Sequence, residues 1–171
     1  MTTTATAIGT TQVYRVYIKT TPQAIWDAIT KPEWTERYGY CGRVDFDLRP
    51  GGKYTGYSSE GMRSMGAPEV AVDGRILEVD PPHKLVQTFR MVMDPTMEAQ
   101  GFTRLTYEIE ERKNGVTRVT LTHELEGAPV LAVLMSGGME DEGAGGGWNW
   151  VLSGLKTLLE TGQSLDPAGH Q

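Results

Sequence analysis

Residues Trp148 to Thr161 read WNWVLSGLKTLLET, and this stretch decides the architecture. Trp148, Val151, Leu152, Leu155, Leu158 and Leu159 recur at helical spacing and make one apolar stripe, and Gly162 stands where a C-cap glycine ends a helix. A helix with one such face needs a second layer to bury it.

The segments upstream supply that layer. Phe102 to Arg112 and Gly115 to Glu126 alternate with period two on either side of a tight Lys113-Asn114-Gly115 turn. Leu105, Tyr107, Ile109, Val119, Leu121 and His123 fall on one face, with Arg104, Thr106, Glu108, Arg118, Thr120 and Thr122 on the other. One face is therefore wet and the other waits for the helix. Glu69 to Val79 and Lys84 to Met91 read as two further strands. Val44, Phe46 and Leu48 alternate with charged residues up to Pro50-Gly51-Gly52, which turns the chain into a strand from Lys53 to Ser59. Glu60 to Pro68 shows no period and reads as a mobile loop, the connection through Asp94-Pro95 reads as a Met-containing loop, and Gly143 to Gly147 reads as a flexible hinge.

At the start, Gln12 to Lys19 alternates as a first strand. Thr21-Pro22 then gives a helix cap followed by proline at the first helical position, where its missing N–H costs nothing. Ile25, Trp26 and Ile29 share a face, Lys31-Pro32 stops the helix, and a second short helix is expected from Pro32 to Tyr38. The order is one strand, two short helices, six more strands and one long helix: an α+β chain with about seven sequentially connected strands. No repeat or linker divides it, so residues 12–162 are expected to form one domain with tails at 1–11 and 163–171.

With 171 residues, 39% hydrophobic and 22% charged, the composition is that of an ordinary globular chain long enough to bury a core. A net charge of −6 and no Lys/Arg cluster argue against nucleic acid as a partner. A single cysteine, Cys41, excludes an intramolecular disulfide and a Cys-based zinc cluster, which fits a reduced cytoplasm. There is no secretory leader pattern and no apolar run long enough to cross a bilayer, so no membrane association is expected.

Four segments, in order, resemble a known family: Thr21 to Thr30, Phe46 to Tyr54 with Arg49-Pro50-Gly51-Gly52 at its centre, Gly74 to Leu85 with Asp80-Pro81-Pro82-His83, and Gly147-Trp148 followed by the leucines up to Gly162. They are similar to the SRPBCC/START-like superfamily, and within it to the branch of activator of 90-kDa heat-shock protein ATPase homologues. The resemblance implies a helix-grip fold, with a seven-stranded curved antiparallel sheet wrapped around a long C-terminal helix and room between them for an apolar small molecule. It implies no single activity: the superfamily includes lipid and hormone binders, aromatic cyclases and dioxygenase subunits. Function is therefore argued from the residues.

The expected pocket lining is Phe89, Leu105, Tyr107, Leu121 and His123 from strands, Trp148, Leu152 and Leu155 from the helix, and Trp34 and Tyr54 near the mouth. The expected ligand is aromatic, polyketide-like or acyl, with no cofactor. Core filling is the competing reading of each of these residues. His123, inward beside Tyr107, is the one candidate for proton exchange, which would make a cyclase- or hydrolase-type enzyme the alternative. A chaperone-ATPase-modulating interaction is the third reading; the expectation of one domain, without the additional N-terminal domain of the eukaryotic activators, speaks against it. His83 and His170 lie in a turn and a tail, the histidines have no metal-ligand spacing, Glu140-Asp141-Glu142 lacks the alternation of a calcium loop, and no nucleophile elbow exists. Met62, Met65, Met93, Met97, Met135 and Met139 suit either an adaptable apolar entrance or irregular core filling. Trp150, opposite the apolar stripe, reads either as packing beneath the Gly-rich loop or as a homodimer contact.

Overall fold

Strand alternation and helix caps shape the chain much as the residues dictate. The computed structural model describes residues 10–167. β1 (Thr11–Ile18) leads to α1 (Pro22–Thr30), whose N-cap Thr21 accepts the N–H of Ala24 through its hydroxyl, with Pro22 in the first turn. α2 (Pro32–Thr35) follows, then β2 (Val44–Phe46), β3 (Lys53–Tyr57), α3 (Glu60–Ser64), β4 (Val70–Asp80), β5 (Lys84–Met91), α4 (Pro95–Ala99), β6 (Thr103–Glu111), β7 (Thr117–Glu124), α5 (Pro129–Met135) and α6 (Gly147–Thr161).

All strands join one antiparallel sheet of order β1-β7-β6-β5-β4-β3-β2. β2 to β7 form a meander, and β1 returns to pair with the last strand, Val16 opposite Val119. The α1–α2 connection thus carries the chain from one edge of the sheet to the other. α6 fastens to the β1 edge: Lys156 Nζ donates to Tyr17 O at 2.6 Å, and Glu160 accepts both Lys156 Nζ and the Lys19 N–H at 2.8 Å. The core runs from Ile18, Ile25 and Ile76 through Leu85, Leu105 and Leu121 to Leu131 and Leu155, all essentially inaccessible. This is the helix-grip architecture expected from the sequence.

Several local expectations are corrected. Glu60–Ser64 is helical, capped by Ser59, whose hydroxyl accepts the Met62 N–H at 3.2 Å. Pro95–Ala99 is a helix capped by Asp94, and Pro129–Met135 is a helix the sequence reading did not contain. The second short helix ends at Thr35 rather than Tyr38. Gly145, Gly146 and Gly147 are buried against Tyr40, Trp150 and Met135, so the glycine-rich segment is a packed junction and not a free hinge. Trp150 is half-buried, its Cβ lies against Gly146, and its indole N–H donates to Gly39 O at 3.1 Å, so it packs under the glycine-rich segment. The methionines divide: Met97 and Met135 are buried, Met65 is 90% exposed. Of the tails expected at 1–11 and 163–171, residues 1–9 and 168–171, His170 among them, lie outside the described residues, and Thr11 already belongs to β1.

Candidate functional site

The sheet's inward face and α6 bring the expected residues into one aromatic cluster. Phe46 and Tyr54 lie with ring centroids 4.7 Å apart, Tyr54 and Phe89 6.5 Å, Phe89 and His123 5.2 Å, and Phe89 and Trp148 6.0 Å. Such offset and edge-on pairs contribute about 0.5–1.5 kcal/mol each beyond simple burial. Tyr54, Phe89, Leu105, Leu121, His123, Trp148, Leu152 and Leu155 are buried and pack with one another. Trp34 and Tyr107 are half-buried, and the Arg37 guanidinium lies 5.3 Å from the Trp34 ring centre. Two surface clefts, one beside Ser58 and one beside Val116, are lined by no residue of α6.

The hydrogen bonds of His123 assign its tautomer. Thr103 Oγ1 donates its proton to Phe89 O at 2.8 Å, so at 2.7 Å it accepts from Nε2–H of His123; the Trp148 indole N–H donates to Nδ1 at 3.0 Å. Trp148, His123, Thr103 and the Phe89 carbonyl form a buried chain in which every proton has an acceptor. Protonating the ring would set two N–H groups against each other, and burial pushes its pKa down to about 4. The imidazole holds β7, β6, β5 and α6 together and offers no lone pair to a substrate. No hydrogen bond links it to Tyr107 among the described residues, so the two candidates for proton transfer are not a pair.

A second polar group on this face was missed by the sequence reading. Gln87 alternates inward with Leu85 and Phe89 along β5, opposite Leu105 of β6 and Ile76 of β4, and is 1% exposed. Its Nε2 reaches Thr88 O at 3.4 Å, while its Oε1 has no partner among the described residues. The period-two pattern of Lys84 to Met91 already put an amide among apolar neighbours, and that was the available signal. No hydrogen bond among the described residues uses the hydroxyls of Tyr54 or Tyr107 either, whereas Tyr38 donates to Ala28 O at 2.8 Å. Burial raises the ionisation of all three phenols well above the ordinary range, and Tyr54 raises that of the other two further. At neutral pH they are neutral hydroxyls, able to donate and accept hydrogen bonds but not to act as phenolate bases.

A family model described as "Activator of Hsp90 ATPase homolog 1-like protein" matches residues 19–160. Among solved structures, the Aha1 dimer from Colwellia psychrerythraea superposes with a TM-score of 0.62 at 18% identity, covering 90% of this chain and 98% of that one. A protein from Mesorhizobium loti gives 0.63 at 20% identity, covering 87% and 96%. An HSP90 activator from Plasmodium falciparum gives 0.52 at 20% identity, covering 67% and 72%. At these identities the likeness is one of fold. No match was found among curated proteins. No described helix is long and apolar enough to cross a membrane.

Proposed function

This chain belongs to the family of activator of Hsp90 ATPase homolog 1-like proteins, and from that premise we propose that it binds an apolar small molecule, aromatic, polyketide-like or acyl, between the sheet and α6. The observation that carries the reading is Gln87: a buried acceptor without a partner costs about 1–3 kcal/mol, and a ligand that donates a hydrogen bond to Oε1 recovers it. Tyr54 and Tyr107 add two unpaired hydroxyls to the same apolar surroundings, the composition expected of a small-molecule site. Because the lining side chains pack against one another, a ligand enters by parting them, and the half-buried Tyr107 and Trp34 mark the point of entry. Catalysis is not part of the reading, because both ring nitrogens of His123 are occupied and burial keeps the tyrosines as neutral hydroxyls. Self-association, a property of the Colwellia relative, and a reducing cytoplasmic setting belong to the same proposal.

Native mass spectrometry of freshly purified protein tests it, since one spectrum reports both ligand mass and subunit number. The expected result is a reproducible extra mass that disappears under denaturation, together with binding of a fluorescent apolar probe that carries one hydroxyl donor, which Gln87→Leu weakens by about ten-fold. Bare protein in every preparation and a probe that Gln87→Leu binds as well as the parent protein does would end the small-molecule reading and leave the protein-interaction one.

A further inference from the structure

The cleft beside Ser58 lies outside the aromatic interior and has a chemistry of its own. It encloses about 320 Å³ between the loop that follows α2, the end of β3 and the start of α3, at the lower end of small-molecule sites, which run from about 300 to 1,000 Å³. Ser58 lines it, is 4% exposed, and has a buried Oγ with no hydrogen-bond partner among the described residues. Buried hydroxyls are ordinarily paired, so this one points to something the cleft receives.

The wall is shaped by backbone. Cys41 takes a left-handed conformation with φ +58°, costly for a residue with a Cβ, and a Cβ on Gly42 would stand 2.2 Å from Tyr57 O, so the loop is pressed directly onto β3. The Arg43 guanidinium lies 4.4 Å from the Tyr57 ring centre and is thereby held at the wall. Burial raises the Cys41 thiol above its ordinary range, with the Asp166 carboxylate adding to the effect, so the cysteine is a neutral wall residue and not a nucleophile.

The charges are the informative part. Arg43 and Arg63 face the cleft together with Glu36, Glu60 and Glu69. Arg63 and the three glutamates form no ion pair among the described residues, and Arg43 reaches only Asp45, at 3.7 Å. Opposite charges that share one small cleft without pairing suit a molecule that carries both. A purely anionic ligand would meet three carboxylates, and a purely cationic one two guanidiniums.

We propose that this cleft binds a small zwitterion of the free amino-acid class, its carboxylate on Arg63 and Arg43 with the Ser58 hydroxyl donating to it, and its ammonium group among Glu36, Glu60 and Glu69. Guanidinium groups match carboxylates with paired, charge-assisted hydrogen bonds, which makes Arg63 the anchor. The proposal stands apart from the interior site, and loss of either leaves the other untouched.

Titration calorimetry on the full chain with each of the common free amino acids, followed by the N-acetyl derivative and the methyl ester of any binder, tests it. At least one amino acid is expected to bind saturably, and both derivatives to lose about ten-fold or more, because each removes one of the two charges. Arg63 is exposed, so Arg63→Gln leaves the fold intact by circular dichroism and is expected to lose about ten-fold as well, while Ser58→Ala loses less. No binding at millimolar concentration, equal binding of acetylated or esterified forms, or an unchanged affinity in a folded Arg63→Gln would each overturn the assignment.

Discussion

His123 shows how one side chain can be inward, polar and central without being reactive. Its folded-state pKa of about 4 lies below the ordinary histidine value of about 6.5. Between those two values the unfolded chain takes up a proton that the folded chain refuses, so stability is full above about pH 6.5 and falls by about 3 kcal/mol as the pH drops to about 4. Glu110 and Glu160, whose pKa values Arg118 and Lys156 hold down, act lower still: their contribution is present above about 4.5 and lost beneath it. Urea unfolding at about pH 7 and about pH 5 is therefore expected to show a loss of about 2 kcal/mol in the parent protein and a much smaller one in His123→Gln. Equal losses in the two proteins would assign the acid sensitivity elsewhere and undo the neutral, doubly bonded reading of the ring. Sequence placed His123 correctly on the inner face, since alternation fixes that. It could not show that Thr103 and Trp148 occupy both nitrogens, because those partners lie 20 and 25 positions away in the chain. Gln87 was equally legible by alternation, but its meaning rests on the lack of a partner, which only packing reveals.

Helix α6 depends on the residue that opens it. Gly147 has φ +66°, and a Cβ there would stand 2.2 Å from Met135 O, at the end of α5, while its own N–H donates to Tyr40 Oη at 3.0 Å. Gly147→Ala thus combines left-handed strain with a backbone collision and is expected to cost at least about 2 kcal/mol, or about 4–8 °C in Tm for a chain of this size. Gly143→Ala is the control: φ is +85° but nothing lies within 4 Å of its Cβ, so it carries the strain alone and loses less. Equal losses would show that the α5–α6 junction tolerates a side chain. The long elements could be read from sequence because each spans enough residues to display a period. Helices α3, α4 and α5, of five, five and seven residues, do not complete two turns and therefore show none. Their caps were nevertheless present, Ser59 before α3 and Asp94-Pro95 before α4, but a cap without a period after it reads as a loop.

At the scale of the whole molecule, one cluster draws buried side chains from β1, α1, β3 through β7, α5 and α6, with no second core beside it in the described residues. A core shared by every layer predicts that residues 12–162 unfold as one unit. The tryptophans make this testable, since Trp26, Trp34, Trp148 and Trp150 lie in α1, α2 and α6, whereas far-ultraviolet circular dichroism includes the sheet. Fluorescence and dichroism are expected to trace the same denaturant transition with the same midpoint and slope. A fluorescence change at lower denaturant would mean that the helical layer leaves the sheet before the sheet unfolds. That outcome would deny the single domain its cooperativity, and it would also identify the motion by which Tyr107 and Gln87 become accessible to a ligand. Coincident curves would instead confine ligand entry to local parting of side chains around Tyr107 and Trp34, with α6 remaining fastened to β1 through Lys156 and Glu160.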